Sequence, residues 1–155
     1  MVVEGGEAPD FELPAHTGEK IRLSSFRGKN VVLFFYPKDG SPGCTRENCL
    51  FRDSIHDFER FNAVVIGISR DSVDSHRKFA KKHRLTHLLL SDSRGEVVKA
   101  YNAAGLLGIT KRITYVIDRE GKIRKIIQSI NPSVHVTEAL KALASIETAS
   151  AFEKR

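Results

Sequence analysis

Cysteine is scarce in this chain, with only two in 155 residues, and tryptophan is absent. Two cysteines are too few for the disulfide framework of a small secreted domain. No apolar run approaches the roughly 20 residues that span a bilayer. The N-terminal MVVEGGEAPD has neither the basic region nor the apolar core of a secretory signal. These absences predict a cytoplasmic protein without a membrane segment, whose cysteines serve packing or chemistry.

Length and composition predict one domain over residues 1–155. A chain of this size fits a single domain, and 41% hydrophobic residues suffice for one core. No internal repeat, low-complexity segment or second domain is evident. The tail, residues 147–155, is expected to fray.

The net charge of +6 raises the question of nucleic-acid binding. Charges of both signs are interspersed along the chain, and the densest basic run, residues 77–84, falls at the end of a predicted helix. No groove-reading motif or set of stacking aromatics accompanies the charge. The sequence therefore predicts no specific nucleic-acid partner.

Segments of strand and helix character alternate along the chain. The predicted strands are 8–14, 21–23, 31–36, 63–69, 88–92, 113–118 and 123–128, and the predicted helices are 44–61, 72–83, 93–102 and 132–146. This order indicates an α/β fold in which a central mixed sheet is flanked by helices and extended by an N-terminal β-hairpin.

The stretch from Tyr36 to Cys49 joins a predicted buried strand to a predicted helix. Prolines and glycines break the chain after Tyr36, Ser41 is a suitable N-cap, and Pro42 suits the first helical position. Cys44 is thus expected in the first turn of the helix, where the unpaired amides and the dipole stabilise a thiolate. Because the thiolate is the nucleophile, this position favours a reactive cysteine over a buried structural one.

The same stretch resembles a known family. The pattern Pro37-x-x-x-Ser41-x-x-Cys44 matches the active-site motif of the peroxiredoxins, and FYPKDGSPGCTRENC is similar to their Q-type, or bacterioferritin comigratory protein, group. The resemblance extends over about residues 8–144. It implies a thioredoxin-like fold, consistent with the predicted order of elements, and the activity of a thiol peroxidase.

The resemblance also implies roles for individual residues. Cys44 would be the peroxidatic cysteine and Cys49 the resolving one. Pro37 would shield the site, and the Ser41 hydroxyl would help to orient the peroxide. Threonine is the commoner residue of the family at the position of Ser41, so here a methyl group is lost and the hydroxyl is kept.

A second charge near Cys44 is expected from Arg112. The string from Arg112 to Asp118, RITYVID, resembles a family pattern in which the arginine hydrogen-bonds both the thiolate and the peroxide. A fixed cation would stabilise the thiolate and align the two peroxide oxygens with the sulfur. Arginine suits this task because it stays charged throughout the cycle.

The spacing of the two cysteines constrains the chemistry. Four residues separate Cys44 and Cys49, whereas thioredoxin-like reductases have two between their cysteines. Residues i and i+5 of an ideal helix have Cα atoms about 8–9 Å apart, and a disulfide needs about 4.4–6.8 Å. If the two cysteines form a disulfide with each other, the first turns of the helix must therefore unwind.

The resemblance implies a complete cycle with peroxide as substrate and a thioredoxin-like dithiol protein as reductant. Hydrogen peroxide and organic hydroperoxides would be reduced, and neither metal, haem nor flavin would be needed as cofactor. The expected assembly is a monomer or weak homodimer. Two alternatives keep the cysteine pair but change the class: a protein disulfide oxidoreductase, and a non-catalytic thiol redox sensor.

Overall fold

The computed structural model describes residues 2–153, and the side chains of residues 2–149. It contains seven strands: β1 (Glu12–Pro14), β2 (Lys20–Arg22), β3 (Asn30–Phe35), β4 (Ala63–Ser69), β5 (Leu88–Ser91), β6 (Ile113–Ile117) and β7 (Ile123–Gln128). Five of them form the central sheet in the order β5-β4-β3-β6-β7, and β1 pairs with β2 in a separate hairpin.

Within the described residues, five α-helices surround these strands: α1 (Pro42–Asp53), α2 (Ile55–Arg60), α3 (Val73–His83), α4 (Glu96–Ala100) and α5 (Pro132–Glu153). Short 3-10 turns occupy Leu23–Phe26 and Leu106–Gly108. No helix within residues 2–153 combines the length and apolar character needed to cross a membrane.

The direction of the strands determines where the functional loops meet. β3, β4 and β5 run parallel, whereas β6 runs antiparallel to β3 with Ile113 opposite Phe35. The end of β3 and the beginning of β6 therefore lie at the same edge of the sheet. This register brings the chain after Tyr36 close to Arg112, the residue just before β6.

The central strand β3 contributes to the core on both faces of the sheet. Val31, Leu33 and Phe35 belong to a cluster with the hairpin and α4, and the alternate residues Val32 and Phe34 belong to a cluster with α1, α2, α3 and α5. All six residues of β3 are buried. A central strand covered on both faces requires a continuous apolar run, here residues 31–35, rather than an alternating pattern.

The predicted architecture of a mixed sheet, flanking helices and an N-terminal hairpin is confirmed.

Several boundaries of the predicted elements were wrong. The predicted strand 8–14 is regular only at Glu12–Pro14, because Ala8 instead donates its amide to the Gly121 carbonyl. The predicted helix 93–102 is reduced to Glu96–Ala100. α5 continues to Glu153, so the fraying of 147–155 stays a prediction, and residues 154 and 155 lie outside the described range.

The predicted single helix 44–61 was also wrong, because two helices meet at Ser54. The backbone of Ser54 has φ −102° and ψ 9°, far from the helical ψ of about −42°. Its amide still donates to the Leu50 carbonyl at 3.2 Å, which closes α1. Apolar Ile55 and Phe58 continue the helical spacing across the break, so the sequence pattern does not reveal it.

Candidate active site

Cys44 is the third residue of α1 and is completely buried. Ser41 has the extended backbone of an N-cap, its carbonyl accepts from the Thr45 amide at 2.8 Å, and Pro42 is the first helical residue. The amides of the second and third helical residues, Gly43 and Cys44, have no partner within a helix. The loop thus places the sulfur at the positive end of the helix dipole, as its sequence predicts.

Ser41 caps the helix with its backbone only. Its hydroxyl donates to the Lys38 carbonyl at 3.1 Å and makes no capping hydrogen bond to the first-turn amides. Those amides are therefore not taken up by the side chain of Ser41, and a ligand oxygen can accept from them. Pro37 lies half-buried in the same loop.

Arg112 lies beside Cys44 although the two are 68 positions apart in the chain. Its Nη2 lies 3.4 Å from Cys44 Sγ, and its Nη1 donates to Glu47 Oε1 at 2.7 Å. The guanidinium is mostly buried, with its side chain 14% exposed. A fixed cation in such surroundings stabilises a neighbouring thiolate.

Glu47 is a site residue for which sequence reasoning assigned no role. Its carboxylate is fully buried, and burial raises its pKa to about 7 although Arg112 acts in the opposite direction. Its place one turn after Cys44, on the same helix face, was the available signal. Glu47 orients Arg112, because it binds one nitrogen of the guanidinium group while another nitrogen faces the sulfur of Cys44.

His135 and Thr114 extend this network behind Glu47, and sequence reasoning missed both. His135 Nε2 donates to the Ser129 carbonyl at 2.7 Å, so its Nδ1 accepts from the Thr114 hydroxyl at 2.8 Å. Burial lowers the pKa of His135, consistent with a neutral ring. Nδ1 also lies 3.7 Å from Glu47 Oε2, an oxygen without a hydrogen-bond partner among the described side chains.

A second buried network fixes the loop before Cys44. Asp39 Oδ1 accepts from the Tyr36 hydroxyl at 2.6 Å. Asp39 Oδ2 accepts from Ser75 Oγ at 2.9 Å and lies 2.6 Å from His76 Nδ1. His76 Nε2 faces the Leu90 carbonyl at 3.0 Å. Asp71, which accepts from the Asp39 amide, completes the network.

The ligand atoms of Asp39, Asp71 and His76 lie within 4.8 Å of one another, a separation compatible with a metal ion. Hydrogen bonds within the cluster already occupy the facing atoms: His76 contacts Asp39, and Asp71 Oδ2 accepts both the Asp39 amide and the Ser69 hydroxyl. The cluster is therefore explained as the anchor of the loop.

Cys49 lies on the same helix as Cys44, is partly exposed, and is a free thiol in the structure, as is Cys44. Residues five apart in a continuous helix are about 8–9 Å apart at Cα, beyond the reach of a disulfide. The structure therefore holds the two sulfurs in the separated arrangement.

Gly43 permits the close approach of Arg112, and replacing it tests the site. A Cβ at position 43 would lie 2.9 Å from Arg112 Nη2. In the variant Gly43→Ala we expect the guanidinium to move from Cys44 and the oxidation rate to fall about threefold to tenfold. The helix itself should gain up to about 1 kcal/mol from alanine. Peroxide kinetics and thermal unfolding measure the two effects, and a parallel loss of rate and stability would contradict this explanation.

Comparison with known proteins shows the family to which the chain belongs. The model of the AhpC/TSA family matches residues 5–126. Peroxiredoxin Bcp of Bacillus subtilis is 43% identical, with 92% of this chain and 96% of the relative covered. The chloroplastic peroxiredoxin Q of Sedum lineare is 42% identical, with 94% and 80% covered.

Solved structures agree with these relatives. Peroxidoxin BcpB from Mycobacterium tuberculosis superposes with a TM-score of 0.89 at 41% identity, covering 94% of this chain and 99% of that one. The bacterioferritin comigratory protein of Xanthomonas campestris gives 0.83 at 28% identity, covering 87% and 90%.

A buried thiol at a helix N-terminus, faced by a guanidinium on a thioredoxin-like sheet, defines the class of thiol-dependent peroxidases. The relatives agree with this class over nearly the whole chain. The chain belongs to the AhpC/TSA family and is a peroxiredoxin of the Bcp/Q group.

Proposed function

We propose that Cys44 is the peroxidatic cysteine. The observation that supports this most directly is the contact of Arg112 Nη2 with Cys44 Sγ at 3.4 Å, at a position where the amides of the first helical turn are free. The thiolate attacks the terminal oxygen of a hydroperoxide, the S–O bond forms as the O–O bond breaks, and the sulfur becomes a sulfenic acid. The departing alkoxide or hydroxide takes up a proton and leaves as alcohol or water.

The surrounding residues position the peroxide. Arg112 stabilises the thiolate and the developing negative charge on the departing oxygen. The half-buried Pro37 shields the sulfur from water, and the Ser41 hydroxyl, which lies in the same loop, turns from the Lys38 carbonyl to the peroxide. Glu47 holds Arg112 in this arrangement through its 2.7 Å contact.

Cys49 is proposed as the resolving cysteine. Its sulfur attacks the sulfenic sulfur of Cys44, the S–S bond forms, and the hydroxyl leaves as water with the proton of the Cys49 thiol. The intact α1 keeps the sulfurs too far apart, so the segment around 43–51 has to unwind in each cycle. Both cysteines lie on one helix, so this step needs no second chain, in keeping with a monomer or weak homodimer.

A thioredoxin-like dithiol protein closes the cycle by reducing the Cys44–Cys49 disulfide through thiol–disulfide exchange. We propose hydrogen peroxide and organic hydroperoxides as substrates, and the alkyl peroxide reduction named for the Xanthomonas campestris relative supports the second class. A cytoplasmic location fits a cycle that depends on a reduced dithiol pool.

Replacing Cys49 separates the two half-reactions. In Cys49→Ser, the first turnover should stay fast because attack on peroxide uses only Cys44 and its surroundings. The sulfenic acid then has no internal thiol partner, so thioredoxin-linked turnover should fall at least tenfold while small thiols rescue part of it. Single-turnover oxidation and a thioredoxin-coupled assay measure the two steps. Normal coupled turnover would show that Cys49 serves packing and that the mechanism uses one cysteine.

A further inference from the structure

Asn48, the residue before Cys49, is completely buried and hydrogen-bonded at both ends of its amide. Its Nδ2 donates to the Cys44 carbonyl at 3.0 Å, and its Oδ1 lies 2.8 Å from His87 Nε2. A carbonyl accepts only, so the amide nitrogen faces Cys44 and the amide oxygen faces His87. The side chain thus connects the first turn of α1 to a residue outside the helix.

His87 lies immediately before β5 and is 3% exposed. Burial lowers its pKa to about 3, with the nearby His16 and Arg52 acting in the same direction. The ring is therefore neutral at working pH, and its Nε2–H donates to Asn48. Its plane meets the Phe34 ring edge-on at 5.6 Å, which holds it against the sheet.

We propose that Asn48 and His87 are positioning residues for the resolving step, in that they hold α1 wound until Cys44 has reacted. The inference depends on the proposed role of Cys49. If unwinding moves Cys44 towards Cys49, the bond from Asn48 Nδ2 to the Cys44 carbonyl breaks. If the Cys49 side moves, the bond between Asn48 and His87 breaks. Either route disrupts a buried hydrogen bond that a solvent-exposed helix would lack.

The two hydrogen bonds of Asn48 influence which of two reactions consumes the sulfenic acid of Cys44. Attack by Cys49 gives the disulfide and water, whereas attack on a second peroxide molecule gives the sulfinic acid and an alcohol or water. The first route requires the unwound segment, and the second requires the wound site. A tighter connection between Asn48 and His87 therefore slows disulfide formation and increases the loss of enzyme to over-oxidation at high peroxide.

Helix propensity and the side-chain bonds have opposite effects on an alanine variant. Alanine favours a helix more than asparagine does, so propensity alone makes Asn48→Ala unwind less readily. Loss of the hydrogen bonds makes it unwind more readily, because each buried bond stabilises the wound helix. Faster resolution in this variant thus has to come from the lost bonds.

The test compares disulfide formation in the wild type, Asn48→Ala, His87→Phe and the double variant. Because the chain has no tryptophan, acid quenching, thiol labelling and mass spectrometry count the sulfenic, disulfide and sulfinic forms. We expect both single variants to form the disulfide about threefold to tenfold faster relative to Cys44 oxidation. The sulfinic fraction at high peroxide should fall by the same factor. The effects in the double variant should be less than multiplicative, because the two residues share one bond.

His83→Phe is the control, since it makes the same substitution at a histidine whose ring packs on Phe79 and whose hydrogen bond with Arg52 of α1 is made by the backbone carbonyl, which the substitution keeps. It should leave the partition unchanged. Circular dichroism and thermal unfolding establish that each variant is folded. Hydrogen exchange gives a second measurement, with faster exchange expected at 43–49 in both reduced variants.

Two kinds of failure are distinguishable. A wild type that never forms the Cys44–Cys49 disulfide would overturn the proposed role of Cys49. A wild type that forms it, with folded variants that partition and exchange as the wild type does, would overturn only the role of Asn48 and His87. An equal acceleration in His83→Phe would likewise overturn it.

Discussion

The variant Cys44→Ser should consume no peroxide above the rate of the uncatalysed reaction. A serine hydroxyl needs an activating base, and the groups around position 44 are the donors Arg112 and the first-turn amides. The carboxylate one turn further along α1, Glu47, is already engaged by Arg112. The measurement is a thioredoxin-coupled peroxide assay on the wild type and the variant.

Serine is nearly isosteric with the completely buried cysteine, so the variant should keep its fold. Circular dichroism and thermal unfolding provide that control. A folded Cys44→Ser protein that retains most of the wild-type rate would locate peroxide reduction elsewhere in the molecule and would refute the assignment of Cys44.

The variant Arg112→Met should lower the rate of Cys44 oxidation by at least tenfold. Methionine keeps much of the bulk but loses the charge and the forked donors that contact both Cys44 and Glu47. Without the cation, the thiolate loses its stabilising partner, and the peroxide loses a group that orients its oxygens. Rapid-quench oxidation and ultraviolet thiolate absorbance as a function of pH measure the two losses.

The variant Arg112→Lys separates charge from geometry. A lysine supplies a cation but no fork that can hold Glu47 and face the sulfur together, so its rate should fall between those of the wild type and Arg112→Met. If Arg112→Met left both the thiolate titration and the oxidation rate unchanged, the role of Arg112 would be structural only.

The sequence predicted the sheet because apolar runs such as β3 and β4 are long, β-branched and clearly bounded by turns. It also predicted Cys44 at the beginning of a helix, because Ser41 and Pro42 are strong local signals. The proximity of Arg112 to Cys44 came from the family pattern and not from spacing. It depends on the antiparallel register of β3 and β6, which no local property of residue 112 encodes.

The supporting networks were beyond prediction for the same reason. Glu47 and His135 meet across 88 residues of sequence, and Asp39 and His76 across 37. A buried glutamate, histidine or aspartate in isolation has the same sequence signature as an exposed one. Which of these polar residues are buried depends on how α3 and α5 pack against the central sheet, and only the structure shows that packing.

The break at Ser54 limits how far a disturbance of α1 spreads. Helical hydrogen bonding is cooperative within a continuous run, and α1 ends at Asp53 before α2 begins at Ile55. Phe58 of α2 lies beyond the segment 43–51 and is completely buried in the core, so we expect α2 to stay docked while that segment unwinds. We therefore expect the unwinding to expose little apolar surface outside α1, and sensitivity to denaturant follows exposed surface. The unwinding proposed for the resolving step is therefore expected to be a local fluctuation, and the oxidised form should resist urea as well as the reduced form does.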